Sequence, residues 1–149
     1  MGNKKCMSEK NDIVRAKEIL TEGNFTCVLV KGDTAFSSYG RGVKPLLDLL
    51  DSKENYNGCY AADKVVGKAA AFLYVLLGAK ALYASVISVP ALELLESYEI
   101  NVSYETIVEM IRNRTNTGYC PMEQATLNIS EPKKALHIIK ETLKKLNGA

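Results

Sequence analysis

The stretch from Ala61 to Leu77 constrains the fold more than any other part of the chain. It runs Ala61-Ala62-Asp63-Lys64-Val65-Val66-Gly67-Lys68-Ala69-Ala70-Ala71-Phe72-Leu73-Tyr74-Val75-Leu76-Leu77 and is followed by Gly78. Most of these residues favour helix, and Gly78 suits a left-handed closing position. The stretch therefore reads as one helix, apolar around most of its circumference. Such a helix belongs in a core. Only its first turn is charged, through Asp63 and Lys64. A buried helix with a polar N-terminal end offers free N–H groups and a positive dipole end to a ligand. The alternative is that Asp63 only balances the dipole. Lys64 and Lys68, four residues apart, would share a helical face.

A core helix of this kind needs a sheet to cover it, and the flanking sequence supplies one. Phe25 to Val30 is β-rich and apolar, Lys31-Gly32-Asp33 is a turn, and Thr34 to Ser38 is a second strand, so the two form a hairpin. Ala81 to Ser88 reads as an interior strand. Val89-Pro90 opens a helix over Ala91 to Ser97, and Ile100 to Ser103 is a short strand. Tyr104 to Arg112 is expected to be helical, with Ile107, Val108, Met110 and Ile111 buried. Three further helices are expected: Ser8 to Leu20, the short Leu46 to Leu50, and one from about Ser130 to Leu146 with Pro132 just inside its start. At 149 residues this is one domain spanning 1–149. The order of helix, hairpin, helix, strand, helix, strand and helices gives an α/β fold, a mixed sheet that starts in a hairpin with helices on both faces.

Composition removes several functions. The only histidine is His137, so a multi-histidine metal site cannot be built, and a Ser-His-Asp or Cys-His site would have to use that residue. The cysteines Cys6, Cys27, Cys59 and Cys120 form no C-x-x-C pair. Ala69 to Leu77 is too short to span a bilayer, and the N-terminus lacks a signal-peptide core, which places the protein in the cytoplasm with reduced thiols and no membrane partner. Basic residues gather at Asn3-Lys4-Lys5 and between Lys133 and Lys145. No aromatic residues interleave with them, so they read as solvated faces and not as a nucleic-acid surface.

Two further segments are candidate site elements. Gly40-Arg41-Gly42 precedes the short helix, where glycines around an arginine suit an anionic or polar ligand, with Arg41 and Gly42 as contacts. Cys120-Pro121-Met122-Glu123 opens a compact segment. Cys120 is a candidate nucleophile, or alternatively a small buried hydrophobe.

Four segments, Phe25 to Lys31, Arg41 to Leu47, Ala62 to Ala70 and Gly118 to Gln124, carry a resemblance that runs through most of the chain. The chain is similar to a small uncharacterised prokaryotic family labelled as a domain of unknown function, with a cytidine-deaminase-like fold. That resemblance implies a three-layer α/β/α architecture. Zinc deaminases carry H-x-E at one core helix and P-C-x-x-C at the next. The resemblance aligns these with Ala61-Ala62-Asp63 and Pro90-Ala91-Leu92-Glu93-Leu94, so the zinc ligands are missing and no metal or other cofactor is expected. The implied function is a pocket for a small polar molecule such as a nucleoside or nucleotide. Arg41, Gly42, Lys64 and Lys68 would bind it. Asp63, Cys120 and Glu123 would serve a metal-independent enzyme if chemistry survives. A structural role, through assembly with a second copy, is the remaining alternative. Asp63 and the Cys120-Pro121-Met122-Glu123 segment are expected to converge on one pocket, with Arg41 at its rim.

Overall fold

A computed structural model describes residues 2–52, 54–113 and 115–148, with side chains from 12 to 147. The side chains of Lys4, Lys5 and Cys6 lie outside the described residues. The elements are α1 (Gly2–Glu22), β1 (Cys27–Lys31), β2 (Thr34–Ser38), α2 (Lys44–Asp51), β3 (Tyr60–Val66), α3 (Lys68–Leu77), β4 (Ala81–Ser88), α4 (Val89–Ser97), β5 (Asn101–Val108), α5 (Pro121–Thr126) and α6 (Pro132–Gly148). The strands form one mixed sheet in the order β2-β1-β3-β4-β5. β1 runs antiparallel to β2 and β3, and β3, β4 and β5 run parallel. The hairpin forms as expected, with Lys31 opposite Thr34 and Gly32 at a left-handed φ of 58°.

Two expectations fail, each for its own reason. Ala61 to Leu77 is a strand followed by a helix, so Asp63 and Lys64 lie in β3 and the helix begins at Lys68. Tyr60 to Val66 is an interior strand with both faces covered, and such a strand reads as an unbroken apolar run that periodicity does not separate from a helix. Gly67 is the break, and Val65-Val66 was the β-branched signal. Tyr104 to Arg112 is likewise no helix: Tyr104 to Val108 continue β5, paired with β4 through Ser88 opposite Val108. The run Tyr-Glu-Thr-Ile-Val is rich in strand formers. Ile107, expected to be buried, is 42% exposed on this edge strand.

The helices pack on both faces. Ala16 and Leu20 of α1 cover Val28, Val30, Ala62 and Tyr83. On the other face Leu29, Ala61, Leu82 and Ala84 meet Phe72, Leu73 and Tyr74 of α3, over which Ala135 and Ile139 of α6 close. The helix α3 is therefore enclosed, as its composition demands, and Gly78 closes it at φ 80°. Ser38 stands opposite Cys27, and Cys27 opposite Asp63. The loop after β2, which carries Arg41 and Gly42, thus leaves the same edge of the sheet as the ends of β3, β4 and β5.

Leu73 has no exposed surface, whereas His137 is exposed on α6. We expect Leu73→Ala to cost about 2–5 kcal/mol in urea unfolding and His137→Ala to stay within about 0.5 kcal/mol.

Candidate functional site

Glu123 is the most enclosed acidic side chain among the described residues, at 1% exposure. Its Oε1 accepts the backbone N–H of Lys68 at 2.6 Å and the Ser88 hydroxyl at 3.1 Å. Its Oε2 accepts the backbone N–H of Ile111 at 2.7 Å. One carboxylate thus joins the first turn of α3, the end of β4 and the chain leaving β5. The N-terminal end of a helix favours a negative group, and charge-assisted bonds of this kind are the strong ones. The approach is tight: a Cβ at Gly67 would lie 3.2 Å from Oε2 and 3.1 Å from Ile111, so those side chains would have to give way slightly. Ser88 also caps α4, accepting the Ala91 N–H at 3.3 Å. Glu123, expected to be catalytic, is committed to these donors.

Cys120 precedes Pro121 as the N-cap of α5, half-buried against the main core. The proline-led turn expected there is present. Its backbone holds the segment in place: Cys120 N–H donates to the Ile111 carbonyl at 2.8 Å, and its carbonyl accepts the Gln124 N–H.

Asp63 has separate partners. Its side chain points to the α3 face, where Oδ2 accepts the Tyr74 hydroxyl at 2.6 Å and Oδ1 accepts the Val65 N–H at 3.1 Å. Burial pushes its carboxyl up to about 7, against the lowering effect of those two bonds. Burial, with Asp63 beside it, also pushes the Cys27 thiol up to about 12. No hydrogen bond or ion pair joins Asp63 to Cys120 or Glu123 among the described residues. Among those residues, too, no three of His, Cys, Asp and Glu are close enough to hold a metal ion.

The remaining sequence candidates divide. Lys64 is not on the helix with Lys68. It sends its ammonium to the Asn24 side chain at 2.6 Å. Lys68 sits in the first turn of α3, where its backbone meets Glu123 and its ammonium donates to the Leu127 carbonyl at 2.6 Å. Burial lowers its pKa, opposed by the charges of Glu123 and Glu93. Arg41 and Gly42 are exposed, with Gly42 at a left-handed φ of 69°.

Lys68 also borders an open groove of about 570 Å³ between α3, α4 and the α5–α6 connection. Pro90, Leu94, Leu127 and Ile129 give it apolar walls, while Glu93, Tyr98 and Ser130 add polar groups. Sequence reasoning missed Glu93 and Tyr98 as site residues, because nothing in α4 alone shows that its outer face meets the 127–130 turn. Ser88-Val89-Pro90 did carry a readable signal, a capping serine before a proline.

A family model described as "TM1506: Domain of unknown function (DUF1893)" matches residues 15–143. The crystal structure of a DUF1893 family protein (TM1506) from Thermotoga maritima is similar over 91% of this chain and 90% of that one, at 30% identity and a TM-score of 0.80. No curated protein matches.

We expect Glu123→Gln to cost about 1–3 kcal/mol, because its amide NH2 must face a donor that the carboxylate now accepts. Glu93→Gln, on an exposed helix face, should stay within about 0.5 kcal/mol. Urea unfolding midpoints of the two variants check this.

Proposed function

Because the chain belongs to the DUF1893 family, whose description names no activity, we propose a function from its own geometry: a binding module for a small polar ligand, seated in the groove beside Lys68. The observation that carries this reading is the meeting of Lys68, Glu93, Tyr98 and Ser130 around one groove at the N-terminal end of α3. Open α/β sheets place ligands outside the carboxyl ends of their parallel strands, and the groove reaches from that edge, at Lys68 and Pro90, along α4 to Tyr98. Apolar walls with a few convergent polar groups are the usual make-up of a small-molecule site, and about 570 Å³ is within the usual size.

The ligand class, a nucleoside or nucleotide, comes from the deaminase-like resemblance, which in this proposal is kept with a changed alignment. Ala61-Ala62-Asp63 lie in β3, so the two helix starts to compare are those of α2 and α3. These read Arg41-Gly42-Val43-Lys44 and Gly67-Lys68-Ala69-Ala70. Neither holds a histidine, cysteine or glutamate, so the zinc-activated water of the working deaminases has no ligands in this alignment either. Arg41 and Gly42 leave the same end of the sheet but follow β2, three strands away from β4, and would act on an anionic ligand only at a distance. Binding is favoured over a metal-independent enzyme because Asp63 and Glu123 spend their oxygens on Tyr74, Val65, Lys68, Ser88 and Ile111. The same reading places the domain in the cytoplasm, where its thiols stay reduced.

Isothermal titration with a panel of nucleosides and nucleotides tests the proposal. The expected result is saturable binding without turnover, weakened at least tenfold by Lys68→Met or Tyr98→Ala and less by Arg41→Ala. Failure of the whole panel to bind, or equal binding by Lys68→Met in a folded state, would overturn it.

A further inference from the structure

Asp63 lies buried in the interface between the sheet and α3, yet no cation among the described residues answers it. From α3 it faces the Tyr74 hydroxyl, from β1 its register partner Cys27, and from β4 Ala84, which brings no charge. Cys59, a further neighbour of Tyr74, is a neutral thiol whose pKa burial raises to about 11. Lys64, next in the chain, directs its ammonium to Asn24 instead. The bonds to the carboxylate come from neutral donors, Tyr74 and the local backbone.

We propose that Asp63 is a proton-operated fastening between the sheet and α3: as a neutral acid it bridges β3 to Tyr74, and on losing its proton it leaves beneath that helix a charge answered by neutral donors alone. A buried polar network is stable when its members are satisfied, whereas an unpaired ion in the same place is costly. Tyr74 is itself held far above the ordinary phenol range by burial and by the neighbouring Asp63, so it stays protonated as Asp63 titrates. The carboxyl, pushed up to about 7 by burial, then changes charge near neutral pH. This fastening is independent of the ligand-binding reading, because none of its groups lines the groove.

The sign follows from linkage. The folded pKa of Asp63 lies above its unfolded value, so the folded state holds the extra proton. Its contribution is fully present below the unfolded value of about 3.8, is lost as pH rises to about 7, and changes no further above that. Thermal unfolding of the wild type and Asp63→Asn across this range provides the test. Asparagine keeps the shape and the acceptor for Val65 but never ionises. The wild-type melting temperature should fall relative to that of Asp63→Asn between pH about 4 and about 7, and the difference should then level off. Parallel curves would overturn the proposal. Carbon-13 NMR of the wild-type aspartate carboxyls decides the matter even if the variant does not fold. One of the five aspartates should titrate near neutral, and titration of all five in the ordinary acidic range would equally overturn it.

Discussion

The carboxylate of Glu123 is the contact on which the upper edge of this fold depends. Parallel strands β3, β4 and β5 each end there, and each end leaves backbone or hydroxyl donors turned towards the same point. Lys68 N–H, Ser88 Oγ–H and Ile111 N–H all find their acceptor in one side chain carried by the six-residue α5. Without it three buried or half-buried donors would lose their partner, and the connection from β5 to α6 would lose its anchor on α3. Gly67 is part of the same device, since any larger residue would push against both Glu123 and Ile111.

The two buried acidic side chains illustrate how differently a fold can hold a carboxyl group. Glu123 is placed at the first turn of a helix and receives donors from three elements. Asp63 sits mid-interface between two neutral partners, and burial dominates it. Both were candidates for chemistry on the sequence, Asp63 as the acid at the expected helix start and Glu123 as part of the Cys120-Pro121-Met122-Glu123 segment. Their geometry gives each a structural task, which moves attention to Lys68 and the groove outside them.

Much of the fold was legible in the residues. The hairpin around Gly32-Asp33, the strand Ala81–Ser88, the helix opened by Val89-Pro90, the closing helix from Pro132 and the glycine stop at Gly78 all follow from local signals. The failures came where the tertiary setting, burial in one case and edge pairing in the other, outweighs pattern. Tyr60–Val66 is covered on both faces and so lacks alternation, and the alanines on either side of Gly67 merged strand and helix into one run. Tyr104–Val108 pairs along a sheet edge and looked helical only because its apolar residues happen to be spaced that way. Misplacing β3 misassigned the helix start by seven residues, from Ala61 to Lys68. That error moved the expected site from the α3 N-terminus to a strand. Cys120 and Glu123 were correctly grouped as a compact segment, but nothing local could show that Glu123 folds inward onto Lys68.

The account rests most directly on where a ligand lands. Amide chemical-shift mapping of the labelled protein, titrated with a nucleoside or nucleotide, reads that location residue by residue. The account predicts saturable shifts concentrated at Lys68, Glu93, Ser97, Tyr98 and residues 127–130. Saturable shifts centred instead on Asp63 and Tyr74, with the groove unmoved, would contradict it.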